Sequence, residues 1–168
     1  MNNKNIQLED CDVIFCTGNS WISKAIQWFT KSDFSHTAFV VELEGLFFIA
    51  DAQKDGVNLR PLDEWRKKYK YKETVLFDPL LNSKLRTMKK YRALKKVGVT
   101  PYDFISLVFK QPLKIITGKW KKGKKDENER MYCSEYNSYI EGVQNFNELS
   151  PAELFNVLVI EKGFQVKR

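Results

Sequence analysis

The stretch His36-Thr-Ala-Phe-Val-Val-Glu-Leu-Glu-Gly-Leu-Phe-Phe-Ile-Ala-Asp51 constrains the fold more than any other part of this chain. Its first half is β-branched and apolar, too continuous for a one-sided helix, and reads as a central strand over His36–Leu43. Glu44-Gly45 is a tight turn, and Leu46–Asp51 returns as a second strand. A buried antiparallel hairpin therefore organises the molecule. Asp12–Thr17, a short apolar run ending at Gly18-Asn19, supplies another strand, and Val57–Arg60 and Lys72–Phe77 supply two more. Helical spacing marks Trp21 to Thr30 behind a Ser20 cap, with apolar positions Trp21, Ile22, Ala25, Ile26, Trp28 and Phe29. Pro61–Tyr69 has helix-start chemistry in Pro61, Asp63 and Glu64. Ser83–Val97 reads as a basic helix with Leu85, Met88, Tyr91, Ala93 and Leu94 on its inner side. Pro101–Gly118 reads as helical with a break before Pro112, and Lys119–Asn128 as a lysine-rich loop. Tyr132–Val143 is a further helix, and Ser150-Pro-Ala-Glu153 is a capping box opening a last one. Strands first, with helices flanking and following, imply an α+β fold. The length of 168 residues fits a single domain over 1–168.

The three cysteines, Cys11, Cys16 and Cys133, form no C-x-x-C pair, and the chain has one histidine. A disulfide scaffold and a Cys/His zinc set are not expected, and no cofactor motif such as a glycine-rich phosphate loop is present. No apolar run reaches the ~18 residues a membrane span needs, and no signal-peptide stretch follows the polar N-terminus, so a cytoplasmic protein is expected. The net charge of +7 is concentrated between Arg66 and Lys125. It favours anionic partners. Lys119, Lys121, Lys122, Lys124 and Lys125, next to the apolar segment before them, suit an anionic membrane surface. Nucleic acid is the weaker alternative, since no recognised binding motif accompanies the charge.

Thiol catalysis needs a thiolate, a base to form it and a group to orient the base. His36, at the entry to a strand, is the one imidazole available. Read by itself it is as compatible with a structural hydrogen bond. Cys133, in Glu-Arg-Met-Tyr-Cys-Ser-Glu-Tyr, follows a polar loop and opens a helix, where unpaired N–H groups and the helix dipole favour thiolate and form an oxyanion hole. The competing reading is a small residue packed at a helix start. Cys11 and Cys16 sit beside or within the first strand and read as inert filling.

Five segments together carry a resemblance. They are D-V-I-F from Asp12, N-S-W-I-S-K-A-I-Q-W-F-T-K-S from Asn19, S-H-T-A-F-V-V-E from Ser35, I-A-D-A with the following G-V, and M-Y-C-S-E-Y from Met131. In this order they resemble the YiiX/YaeF-like proteins, permuted papain-like amidases related to the NlpC-type cell-wall hydrolases and to lecithin–retinol acyltransferase. The resemblance runs from Asp12 to about Val157. It implies a circularly permuted papain-like fold with an antiparallel sheet, His36 as base and Cys133 as nucleophile. The family's third polar residue, a glutamate before a small residue on the strand after the histidine, falls on Asp51-Ala52. Glu42 shares the face of His36 but lies about 20 Å along the strand. The implied activity is a cysteine hydrolase acting on a peptide or amide. The alternatives are a lipid-directed acyltransferase or amidase acting on an acyl-lipid, and a non-catalytic binding module.

Overall fold

The computed structural model describes residues 6–103, 130–144 and 148–167. Six strands form one sheet in the order β4-β3-β2-β1-β5-β6, and every neighbouring pair is antiparallel. They are β1 (Val13–Thr17), β2 (His36–Leu43), β3 (Leu46–Gln53), β4 (Gly56–Pro61), β5 (Lys72–Phe77) and β6 (Gln165–Val166). The helices are α1 (Trp21–Thr30), α2 (Leu62–Tyr69), α3 (Ser83–Lys96), α4 (Cys133–Glu141) and α5 (Pro151–Asn156), the last running on as a π-helical turn over Val157–Glu161. The fold class is α+β, as the order of sequence signals implies. The expectations for a helix over Pro101–Gly118 and for the lysine-rich Lys119–Asn128 lie outside the described residues, apart from Pro101, Tyr102 and Asp103.

The central strands read as continuous apolar runs because both faces of the sheet are covered. Val13, Phe15, Phe39, Val41 and Ala50 face a core shared with Tyr136 and Ile140 of α4 and with Leu154 and Leu158. The alternate residues Ile14, Cys16, Ala38, Val40, Ile49 and Val75 face a second core with Leu8 and with Trp65 of α2. Glu44 and Gly45 both have positive φ, 51° and 81°. That is the conformation in which a two-residue turn matches the twist of the strands it joins.

One helix face departs from the expectation. Leu94 of α3 packs on the core and Ala93 is buried, but Met88 and Tyr91 are exposed, and Lys89 and Lys96 are buried in their place. Lys89 Nζ lies 2.9 Å from Asp78 Oδ2 and 2.7 Å from Glu141 Oε2, and 4.9 Å from the centre of the Phe164 ring. A buried charge persists where it is paired on all sides, so the lysine, not the tyrosine, takes the inner face. Lys89→Met should cost about 3–5 kcal/mol, because it strands the buried Glu141 carboxylate. Thermal unfolding would read this as a fall of roughly 10 °C. A melting temperature equal to the parent's would show that the ion cluster does not hold α3 against α4.

Candidate active site

His36 is the first residue of β2 and is anchored from both neighbouring strands. It pairs with Cys16 of β1. The β2–β3 register sets Phe39 opposite Ala50, which puts Asp51 on the same face as His36, one diagonal step away. The two side chains meet there, His36 Nε2 to Asp51 Oδ2 at 3.0 Å, with both residues buried. With Nε2 committed to the carboxylate, Nδ1 is the ring nitrogen left for a second partner. Cys133, the first residue of α4, is near enough for its side chain to act on the charge of the imidazole. α4 packs on β2 and β3. Asn137, one turn into α4, donates from Nδ2 to Thr37 Oγ1 at 3.0 Å and to the Cys133 carbonyl at 3.1 Å. This buried amide ties the start of the cysteine helix to the residue next to His36.

Asp51 is held by donors on every side. Oδ2 also accepts from Trp65 Nε1 at 2.9 Å and from Gln53 Nε2 at 2.7 Å, and Oδ1 accepts from Arg60 Nη1 at 3.2 Å. Arg60 reaches on to Asp55 Oδ2 at 2.6 Å. Gln53 Nε2 is also 3.1 Å from His36 Nε2. Two N–H groups do not bond each other, so the amide donates to the carboxylate and His36 donates beside it. The Tyr71 ring stacks on His36 at 5.5 Å and 28° and closes the other side of the imidazole.

This packing sets the charges. Burial alone would lower the His36 pKa, but its interaction with the Cys133 side chain and the hydrogen bond to Asp51 raise it, to about 10 from an ordinary 6.5. Burial alone would raise the Asp51 carboxyl, but hydrogen bonds from His36, Trp65 and Gln53 hold it below the usual carboxylate range. At neutral pH the ring is an imidazolium held against the Asp51 carboxylate. The other cysteines have no such setting. Burial pushes the Cys11 thiol up to about 12, and burial with Glu73 nearby pushes Cys16 well above the ordinary thiol value.

The structure therefore brings Cys133, His36 and Asp51 together. Glu42 is apart from them: it lines a separate cleft with Leu43, Leu46 and Lys90. Sequence reasoning missed Gln53, Arg60, Trp65, Tyr71 and Asn137. Gln53 had a usable signal, since it lies two residues beyond Asp51 and so shares its face. Arg60 needed the β3–β4 register, in which Asp51 faces Asn58. Trp65 and Tyr71 arrive through tertiary packing alone.

No protein-family model matches the sequence, and no curated protein is significantly similar to it. Among solved structures the chain is similar to the crystal structure of metalloprotein YiiX from Escherichia coli O157:H7, of the family DUF1105. The TM-score is 0.62 at 22% identity, over 96% of this chain and 97% of that one. The described residues of the present chain contain no group of three or more His, Cys, Asp and Glu placed to hold a metal ion. Asp51, the carboxylate in the site, already accepts from four donors, one of them the Arg60 cation. These residues do not fit a metal. What the likeness establishes is architecture: the chain has the α+β fold of that YiiX structure along nearly its whole length.

Proposed function

We propose that this protein is a cysteine-dependent hydrolase of the amidase or peptidase class, a single permuted papain-like domain of the YiiX/YaeF-like family. The observation that carries the reading is a buried imidazole bracketed by a carboxylate on one side and a helix-initial cysteine on the other. In the mechanism, His36 holds the proton taken from Cys133 Sγ, and Asp51 fixes the ring so that Nδ1 faces the sulfur. The thiolate attacks the carbonyl carbon of an amide, and the oxygen becomes an oxyanion held by backbone N–H groups at the start of α4. As the tetrahedral intermediate collapses, the C–N bond breaks and the imidazolium gives its proton to the leaving amine. His36 then takes a proton from water, which attacks the thioester and releases the acid and free thiol.

A second reading, acyl transfer to or from an acyl-lipid by the same three residues, is favoured by one observation, the exposed Trp21, Lys24 and Trp28 of α1 with Lys31 at its end.

The test combines labelling with a pH profile. Iodoacetamide at neutral pH should modify Cys133 ahead of Cys11 and Cys16, as peptide mass mapping would read. Hydrolysis of an activated amide should lose rate as the pH passes about 10, where the His36 imidazolium loses its proton. The same linkage acts on the fold. Because the His36 value lies above the ordinary 6.5, the charged ring's contribution to stability is complete below about pH 6.5 and is lost as pH rises through about 10. Equal labelling of all three cysteines would leave the non-catalytic binding module as the better description.

A further inference from the structure

Helix α1 buries a polar side chain and leaves its two tryptophans outside, with Ile22, Ala25, Ile26 and Phe29 half-buried. Ser23 is its one buried residue. The side turned to the protein is polar. Ser23 Oγ contacts Ser20 Oγ at 2.9 Å, and Gln27 Nε2 donates to the Gly18 and Asp33 carbonyls at 2.9 and 3.0 Å. None of its apolar side chains packs against either core. Trp21 and Trp28, seven residues apart and so on one face, are 77% and 75% exposed. A surface helix ordinarily turns its apolar stripe inward, and two tryptophans left in water give up much of the stabilisation their burial would bring.

The surroundings of this face are basic. Lys24 lies on the Trp21–Trp28 side of the helix, and Lys31 caps its end, both exposed. Trp28, Lys31 and Lys72 line one open cleft of about 620 Å³, in which Asp33 is the one acidic side chain. Tryptophan flanked by lysine suits a bilayer interface, where the indole settles at headgroup level and the cation meets lipid phosphate. A second copy of this chain would bring the same lysines face to face, which opposes self-association. Charge complementarity thus selects an anionic bilayer as the occupant.

We infer that α1 is a membrane-docking element, seating Trp21 and Trp28 in the interface of an anionic lipid surface with Lys24, Lys31 and Lys72 on its phosphates. The inner side of the same helix borders the candidate active site: a Cβ on Gly18 would sit 2.4 Å from Ser23 Oγ and 3.0 Å from Tyr71 Cε1, and Tyr71 is the ring stacked on His36. Docking by the opposite, tryptophan-bearing side requires no chemistry at Cys133 and stands without the proposed hydrolase.

The test is co-sedimentation with vesicles of equal parts phosphatidylglycerol and phosphatidylcholine, against vesicles of phosphatidylcholine alone. The full chain should pellet with the first, much less with the second, and should be released by salt. The double variant W21A/W28A and the double variant K24E/K31E should each lower partitioning about tenfold or more. Both should keep the parent's melting temperature and iodoacetamide labelling of Cys133, so that failure of docking and failure of catalysis are read separately. Replacing Lys119, Lys121, Lys122, Lys124 and Lys125 with glutamine should leave the part of binding that depends on Trp21 and Trp28. The inference is overturned if W21A/W28A pellets like the parent, or if the parent ignores anionic vesicles. It is equally overturned if sedimentation velocity finds a dimer that W21A/W28A dissolves while vesicle binding is absent, since a second copy would then own the face.

Discussion

Cys133→Ala should abolish acyl-enzyme formation with activated ester or amide probes and leave the fold intact, while Cys11→Ala and Cys16→Ala keep the full burst. Cys133 alone opens a helix beside the imidazole. Cys16 is locked within β1, and Cys11 sits in the turn before it at φ 71°, both with thiols raised by burial. His36→Ala should cost a factor of roughly 10²–10⁴ in kcat/KM, the usual worth of a general base. The double variant should be little worse than Cys133→Ala, because the pair acts as one unit. Mass spectrometry of trapped acyl-enzyme and steady-state rates check both statements. Activity retained by Cys133→Ala, or an undiminished rate in His36→Ala, would remove the thiol mechanism.

Replacing Asp51 should damage stability and activity together. All the groups around its carboxylate are donors: His36 Nε2, Gln53 Nε2, Trp65 Nε1 and Arg60 Nη1. Asp51→Ala strands the N–H of the fully buried Trp65, at a cost of about 1–3 kcal/mol, and removes a fully buried anion from Arg60 and from the His36 ring. Arg60 keeps Asp55, so its own charge is not orphaned. Asp51→Asn is nearly the same shape but turns an amide NH2 toward donors, so it should also destabilise. Rates should fall by roughly 10²–10⁴-fold in either variant. A purely structural role would leave the pH profile of the residual activity in place. Loss of the carboxylate should instead move its alkaline limb down from about 10, since the hydrogen bond that helps hold the proton on His36 is gone. An alkaline limb unchanged in Asp51→Asn would assign Asp51 to the fold alone.

Much of the architecture could be read along the chain. The boundaries of α1, β2 and β5 follow from local signals: a Ser20 cap, an apolar run ended by Glu44-Gly45, and an alternating run ended by Asp78-Pro79. The caps and turns are legible because each is a contact between residues a few positions apart, Ser20 to Ser23 or Ser150 to Glu153.

Faces were another matter. Periodicity names the side of a helix that is apolar, and in α1 and α3 only part of that side is turned inward: Ala93 and Leu94 reach the core, while Met88, Tyr91, Trp21 and Trp28 are exposed. In α3, Lys89 displaces Tyr91 from the interior because Asp78 and Glu141, distant in sequence, converge on it. In α1 the polar side finds backbone carbonyls at Gly18 and Asp33 to bond, and the tryptophans are left outside. The candidate site divides in the same way. The residue types and order of His36, Asp51 and Cys133 are present in the sequence, and the resemblance joined them. Their surroundings — Trp65 on Asp51, Tyr71 on His36, Asn137 pinning α4 to β2 — are set by strand register and helix docking. Local free energies depend on neighbours in the chain and so are written in order along it. The charge state of His36 depends on what is packed around it in three dimensions, and only the folded sheet, with α2 and α4 on its opposite faces, supplies that.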